Sequence, residues 1–129
     1  MAVRIVQLGT PRRADEGVRI GAVRRPPRGV RKQDYARLNY YDVWLPELAP
    51  SEPLRKSILS RPITRQRWAA FARRFRTEMR APAAAHLIAL VAALSSHSRF
   101  SIGCYCEDEG RCHRSVLREL LEEAGAVVK

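Results

Sequence analysis

Strand-type apolar runs occupy residues 3–8, 18–23 and 100–106, and a three-to-four-residue apolar period marks residues 64–95 and 113–124. Val3–Leu8 is rich in Val and Ile and predicts a strand, closed by the turn residues Gly9-Thr10-Pro11. The polar stretch Arg12–Gly17 predicts a loop. Val18–Val23 predicts a second strand, with Val18, Ile20 and Ala22 on one face and Arg19, Gly21 and Val23 on the other. Pro26-Pro27-Arg28-Gly29 stops regular structure, because proline lacks a donor and restricts the residue before it. Asp34–Leu45 is aromatic-rich without a clear period and is read as a loop or short strand.

The helical period then takes over. Ser51 caps a short helix with Pro53 in its first turn, ending before Pro62. Thr64 caps a second helix reaching about Arg80, with Trp68, Phe71, Ala72, Phe75 and Met79 as its apolar stripe. Its arginines, Arg65, Arg67, Arg73, Arg74 and Arg76, fit a solvated face better than a surface laid on a phosphate backbone. A third helix over residues 83–95 carries Ala84, Leu87, Leu90, Val91 and Leu94 as its expected core stripe and His86 on its surface. Phe100–Cys106 predicts a strand with Ile102, Cys104 and Cys106 on one face. After the polar loop Glu107–Arg111, a last helix runs from about His113 to Ala124 and stops at Gly125.

Strand, strand, helices, strand, helix is the order of a small α/β layer structure. The expectation is one domain over residues 1–129, with a mostly parallel sheet flanked by helices. Val3–Leu8 and Phe100–Cys106 are its expected parallel neighbours. Ligands of such sheets gather beyond the carboxyl ends of the strands, where this chain places its cysteines.

Charge adds a direction to this picture. The net charge is +11, and it is uneven: residues 1–80 carry 19 basic and 7 acidic side chains, residues 81–129 carry 5 and 6. A positive N-terminal part steers anions, whether a phosphorylated small molecule or nucleic acid. Only three of the 24 basic residues are lysine, and such an arginine bias also arises from genome composition. No apolar run approaches the roughly 18 residues of a membrane span, and no signal-type apolar segment follows Met1, so no membrane partner and a reduced cytoplasmic location are expected.

All three cysteines, Cys104, Cys106 and Cys112, fall within nine residues. Cys112 is expected at the start of the last helix beside Arg111, His113 and Arg114, where unpaired backbone donors and positive side chains favour a thiolate. The same helix start suits an anion, with Arg114 as a planar clamp. Cys112 is therefore the candidate nucleophile or redox thiol, Cys106 its candidate partner and His113 a candidate proton shuttle near neutral pH. Arg114, Arg28 and Arg111 are the candidate anion-binding groups. Cys104 reads as a buried small hydrophobe.

A tetrahedral metal site on Cys104, Cys106, Cys112 and His113 has ligands enough but lacks separated Cys-x-x-Cys knuckles, so neither metal nor cofactor is expected. Cys112 and Arg118 have five residues between them, the phosphatase count, but a helix without glycine fills the gap where a phosphate loop is needed. Glu107-Asp108-Glu109 reads as a solvated run, or as a carboxylate able to orient His113. The lead reading is thiol-dependent chemistry on a phosphorylated or other anionic small molecule. The alternative is a basic nucleic-acid-associated module whose cysteines only pack.

Several segments together resemble the family called domain of unknown function 488. Val18–Val23 followed by Pro27-Arg28-Gly29-Val30 is similar to that family's strand and Trp-Pro-Arg-Gly turn. Trp44 through Ala49-Pro50-Ser51 is similar to its Trp-x-x-x-x-Ala-Pro-Ser segment, and Trp68, Phe71, Phe75 and Glu78 to the aromatic helix that follows. Cys106 and Cys112-His113-Arg114-Ser115 resemble the C-terminal cysteine motif found in part of the family. Arg24-Arg25-Pro26 departs from it, standing where an Asp-Arg-hydrophobic-Trp-type run is common. The resemblance spans most of residues 3–124 and implies a compact α/β domain. It does not imply a particular reaction.

Overall fold

A computed structural model describes residues 1–129. Four strands form one sheet: β1 (Ala2–Gln7), β2 (Val18–Gly21), β3 (Val43–Trp44) and β4 (Arg99–Cys104). Their spatial order is β1-β4-β2-β3, and every neighbouring pair is parallel. Val3, Phe100 and Val18 lie side by side, as do Ile5, Ile102 and Ile20. The two-residue period therefore points one apolar row from each strand toward the helices. β1 and β4 are parallel neighbours as the sequence implied.

The helices are α1 (Glu52–Leu59), α2 (Arg65–Glu78), α3 (Pro82–Ser95) and α4 (His113–Glu123). Ser51 caps α1 by accepting from the Leu54 N–H, and Thr64 caps α2 by accepting from the Arg67 N–H. Glu78 holds Ser51 in turn, accepting from its N–H at 2.8 Å and its hydroxyl at 2.5 Å. α4 ends at Gly125, whose φ of 91° is the left-handed conformation that glycine adopts without a Cβ clash. Phe71 and Phe75 of α2, Ile88 and Val91 of α3, and Val116, Leu117 and Leu121 of α4 join Val3, Phe100 and Ile102 in one core.

Two expectations are corrected. The buried stripe of α3 is Ala84, Ile88, Val91, Ala92 and Ser95, while Leu90 and Leu94 are exposed. This helix is apolar on nearly every face, so hydropathy alone does not select the buried one. β4 ends at Cys104, so Cys106 leaves the strand alternation and is exposed.

The other sheet face carries Arg19 and Ser101, both fully buried. Arg19 forks onto Glu16 at 2.7 and 2.9 Å, and donates to the carbonyls of Thr10 and Asn39. Ser101 donates to the same carboxylate at 2.7 Å. Nearer the strand ends this face is tight: Gly21 lies against the Tyr41 ring, and a Cβ at Gly103 would overlap the Val6 carbonyl oxygen. Gly103→Ala is expected to lower unfolding stability by about 1–3 kcal/mol, because the obstacle is strand backbone rather than a flexible side chain. Urea unfolding of the variant checks this.

Candidate functional site

Beyond the carboxyl ends of β2 and β4 lies a cavity of about 210 Å³. Cys104, Tyr105 and Cys106 enter it from the end of β4, and Cys112 and His113 from the start of α4. Val23, Arg24 and Arg25 enter from the chain after β2. Its apolar wall includes Ile58 and Leu59 of α1 and Trp68 and Phe71 of α2, the two rings stacked at 5.0 Å. Arg24, Arg25, Arg55 and Arg111 also line it, and no carboxylate does. Positive charge over an apolar wall suits a small anion with an apolar portion.

The three sulfurs lie within 4.8 Å of one another. The sulfurs of Cys104 and Cys112 are in direct contact and paired as a disulfide, both residues buried. Their Cα atoms stand 7.9 Å apart, beyond the roughly 4.4–6.8 Å of most disulfides, so a relaxed bond requires the strand end and the helix start to approach. Cys106 is the free cysteine. The structure thus joins Cys112 to Cys104 and not to the expected partner Cys106. Cys104 is the last residue of β4 and its sulfur meets the helix start directly, whereas Cys106 lies two residues beyond the strand end, more exposed but still lining the same cavity. Desolvation pushes the Cys106 thiol above its ordinary range, against the pull of Arg114 and Arg55.

Cys112 is the N-cap of α4, and its side chain makes no capping hydrogen bond. Cys112 therefore sits at the positive end of the helix macrodipole, and its sulfur is free of any capping bond. His113 Nδ1 stands 3.8 Å from that sulfur, while Nε2 lies 2.6 Å from the Ala22 carbonyl oxygen. A carbonyl only accepts, so Nε2 carries the proton and Nδ1 is left as an acceptor. Desolvation lowers the His113 pKa to about 4, despite the Ala22 hydrogen bond. The ring is thus neutral at neutral pH. It holds an acceptor, Nδ1, beside Cys112.

The expected anion-binding arginines part company. Arg111 lines the cavity and donates to the Ile63 carbonyl at 2.5 Å. Arg114 is buried and does not line it; its guanidinium donates to the Cys106 carbonyl at 2.5 Å and so pins the cysteine loop. Arg28 is exposed and borders a neighbouring hollow with Arg25, Arg55, Tyr40 and Tyr105. Arg118, the phosphatase-count arginine, pairs with Glu109 at 2.9 Å.

Arg24, Arg25, Arg55 and Trp68 are cavity residues that the cysteine motif does not single out. The signal available for the first two was their position directly after a strand, where a parallel sheet gathers ligands. Arg24 is anchored to the carbonyls of Ala49 and Pro50, inside the Ala-Pro-Ser segment, and Arg25 pairs with Glu52 at 3.2 Å. On α2, Arg67 binds carbonyls between Ser57 and Pro62, and Arg76 pairs with Glu119 and Glu123. Those two arginines have structural partners.

A strand-end cysteine site in a parallel sheet covered by helices is the arrangement that these residues define. The chain matches, over residues 3–125, the family model DUF488-N3a, described as the active DUF488-N3 subclade, and it belongs to that family. Comparison with curated proteins and with solved structures gives no match. No helix is long and apolar enough to cross a membrane.

Proposed function

We propose that this chain is a thiol-dependent enzyme that carries out thiol–disulfide exchange on a small anionic substrate. The observation that carries the reading is the pairing of Cys104 and Cys112 in a cavity lined by four arginines and no carboxylate. The description of the family as an active subclade agrees with catalysis. In the reduced chain, the Cys112 thiolate attacks one sulfur of an acidic low-molecular-weight disulfide. The second substrate sulfur leaves as a thiolate and takes a proton from water. Cys104 then attacks the Cys112 sulfur, releases the first half as a thiol, and closes the protein disulfide. Two protein thiols and one substrate disulfide become one protein disulfide and two substrate thiols. Arg55 and Arg111 hold the anion, and Trp68 and Phe71 exclude water from its apolar part.

The test is a single turnover of the pre-reduced chain, kept in a metal chelator, with oxidised glutathione as probe. The expected result is two glutathione thiols per chain and a Cys104–Cys112 disulfide in the product. Unchanged oxidised glutathione overturns the reading. Replacing an anion-binding arginine should act on substrate binding rather than on the sulfur chemistry. Arg55→Met is expected to raise the half-saturating concentration of oxidised glutathione about 10-fold with the limiting single-turnover rate little changed, the loss of one charge-assisted contact. Single-turnover rates of the pre-reduced chain over a range of probe concentrations check this.

A further inference from the structure

The arrangement of Cys104, Cys106 and Cys112 meets a requirement that exchange does not impose. Exchange needs two sulfurs, and the structure gathers a third within 4.8 Å of both. We infer that the reduced cysteines together bind one thiophilic cation of the zinc type, with its fourth coordination position open to the cavity. This rests on the same residues as the exchange reading but not on exchange taking place.

The geometry fits. Zinc–sulfur bonds of about 2.3 Å place the sulfurs of a tetrahedral site roughly 3.8 Å apart. Sulfurs within 4.8 Å of one another reach that spacing by small rotations of their side chains. The 7.9 Å between the Cys104 and Cys112 Cα atoms, wide for a disulfide, lets the two sulfurs of the reduced chain separate to that spacing without moving the backbone. The three ligands come from a strand end, a loop and a helix start, so they approach one point from different directions.

The surroundings fit as well. Three thiolates around a divalent ion carry one net negative charge. Arg111 and Arg55 line the same cavity, and Arg114 pins the loop at the Cys106 carbonyl. Such support from beyond the ligands holds them in place and offsets their charge. His113 follows Cys112 directly and its ring nitrogens fall outside the group of three sulfurs, so it is not counted as a ligand. All three cysteines line the cavity, which leaves the remaining position for water or an anion held there. Cys104 and Cys112 joined to each other have no thiolate charge to offer. The ion and the disulfide are therefore alternatives.

Cobalt(II) titration of the reduced full-length chain reads the site directly. The expected result is one equivalent bound, with thiolate-to-cobalt charge transfer and a tetrahedral visible spectrum, both reversed by Zn2+. Cys106 is exposed, so Cys106→Ser spares the core while removing one ligand. Its expected effect is a loss of cobalt affinity on the order of 100-fold or more. The chain with Cys104 and Cys112 joined is expected to show no charge-transfer band. Absence of the band in the reduced chain overturns the inference, as does a Cys106→Ser loss below about tenfold or equal binding by the oxidised chain. The exchange assay runs in chelator, so failure of one proposal is read separately from failure of the other.

Discussion

Cys112→Ser is expected to slow glutathione disulfide reduction by about a thousandfold or more, because the attacking atom itself is removed. Three features single out this sulfur. It caps α4 without being spent on a capping bond, His113 Nδ1 faces it at 3.8 Å, and it lines the arginine-rimmed cavity. A serine hydroxyl keeps the shape of the side chain and holds its proton at neutral pH. The loss should therefore appear in turnover, with glutathione affinity and the unfolding midpoint changed little. Rates of thiol release, measured beside equilibrium binding and urea unfolding, separate these outcomes. A serine variant that turns over at the rate of the parent chain contradicts the assignment.

The second large effect concerns the far face of the sheet. Arg19→Ala is expected to cost about 3–5 kcal/mol of stability, because it leaves the Glu16 carboxylate buried without its partner. Glu16 and Arg19 bridge the loop before β2 to β4 through Ser101, so the loss should loosen that loop as well. The pair also sets a pH dependence. Burial alone would raise the Glu16 pKa, but hydrogen bonds from Arg19 and Ser101 and the Arg19 charge bring it below the ordinary value of 4.5.

A carboxyl depressed in the folded state binds fewer protons there than in the unfolded chain. Its contribution is complete above about 4.5 and is lost as pH falls from there through the folded value. Replacing the whole pair, as in Glu16→Leu with Arg19→Met, removes this acid sensitivity at much smaller cost than the single change. Urea unfolding of the parent, single and double variants across acidic pH checks the sign and the size.

The parallel sheet and the helix ends were legible in the sequence because their signals are local. The Val and Ile of Val3–Leu8, the alternation in Phe100–Cys106, the Ser51 and Thr64 caps and Gly125 each act within a few residues. The buried face of α3 was not legible, since a helix apolar all round presents no unique stripe. The Glu16–Arg19–Ser101 cluster was not legible either. Its members read as a polar loop, an off-face strand position and a small polar residue, and only the placing of β4 beside β2 brings them together.

At the site, spacing located the three cysteines but not the pairing. Which cysteine meets Cys112 depends on where β4 stops, two residues before Cys106. The arginines were separable only in three dimensions: Arg114 turns inward to the cysteine loop, Arg28 borders the next hollow, and Arg55 reaches the cavity from α1.

Trapping the first step tests the central claim most directly. In Cys104→Ser with Cys106→Ser, Cys112 can still attack oxidised glutathione, but neither neighbouring thiol remains to release the adduct. Mass spectrometry of this variant after brief exposure to the probe is predicted to find glutathione joined to Cys112 in nearly every chain. In the parent chain it should find the Cys104–Cys112 disulfide and little adduct. No adduct in the variant, or a Cys106–Cys112 disulfide in the parent chain, would contradict the account.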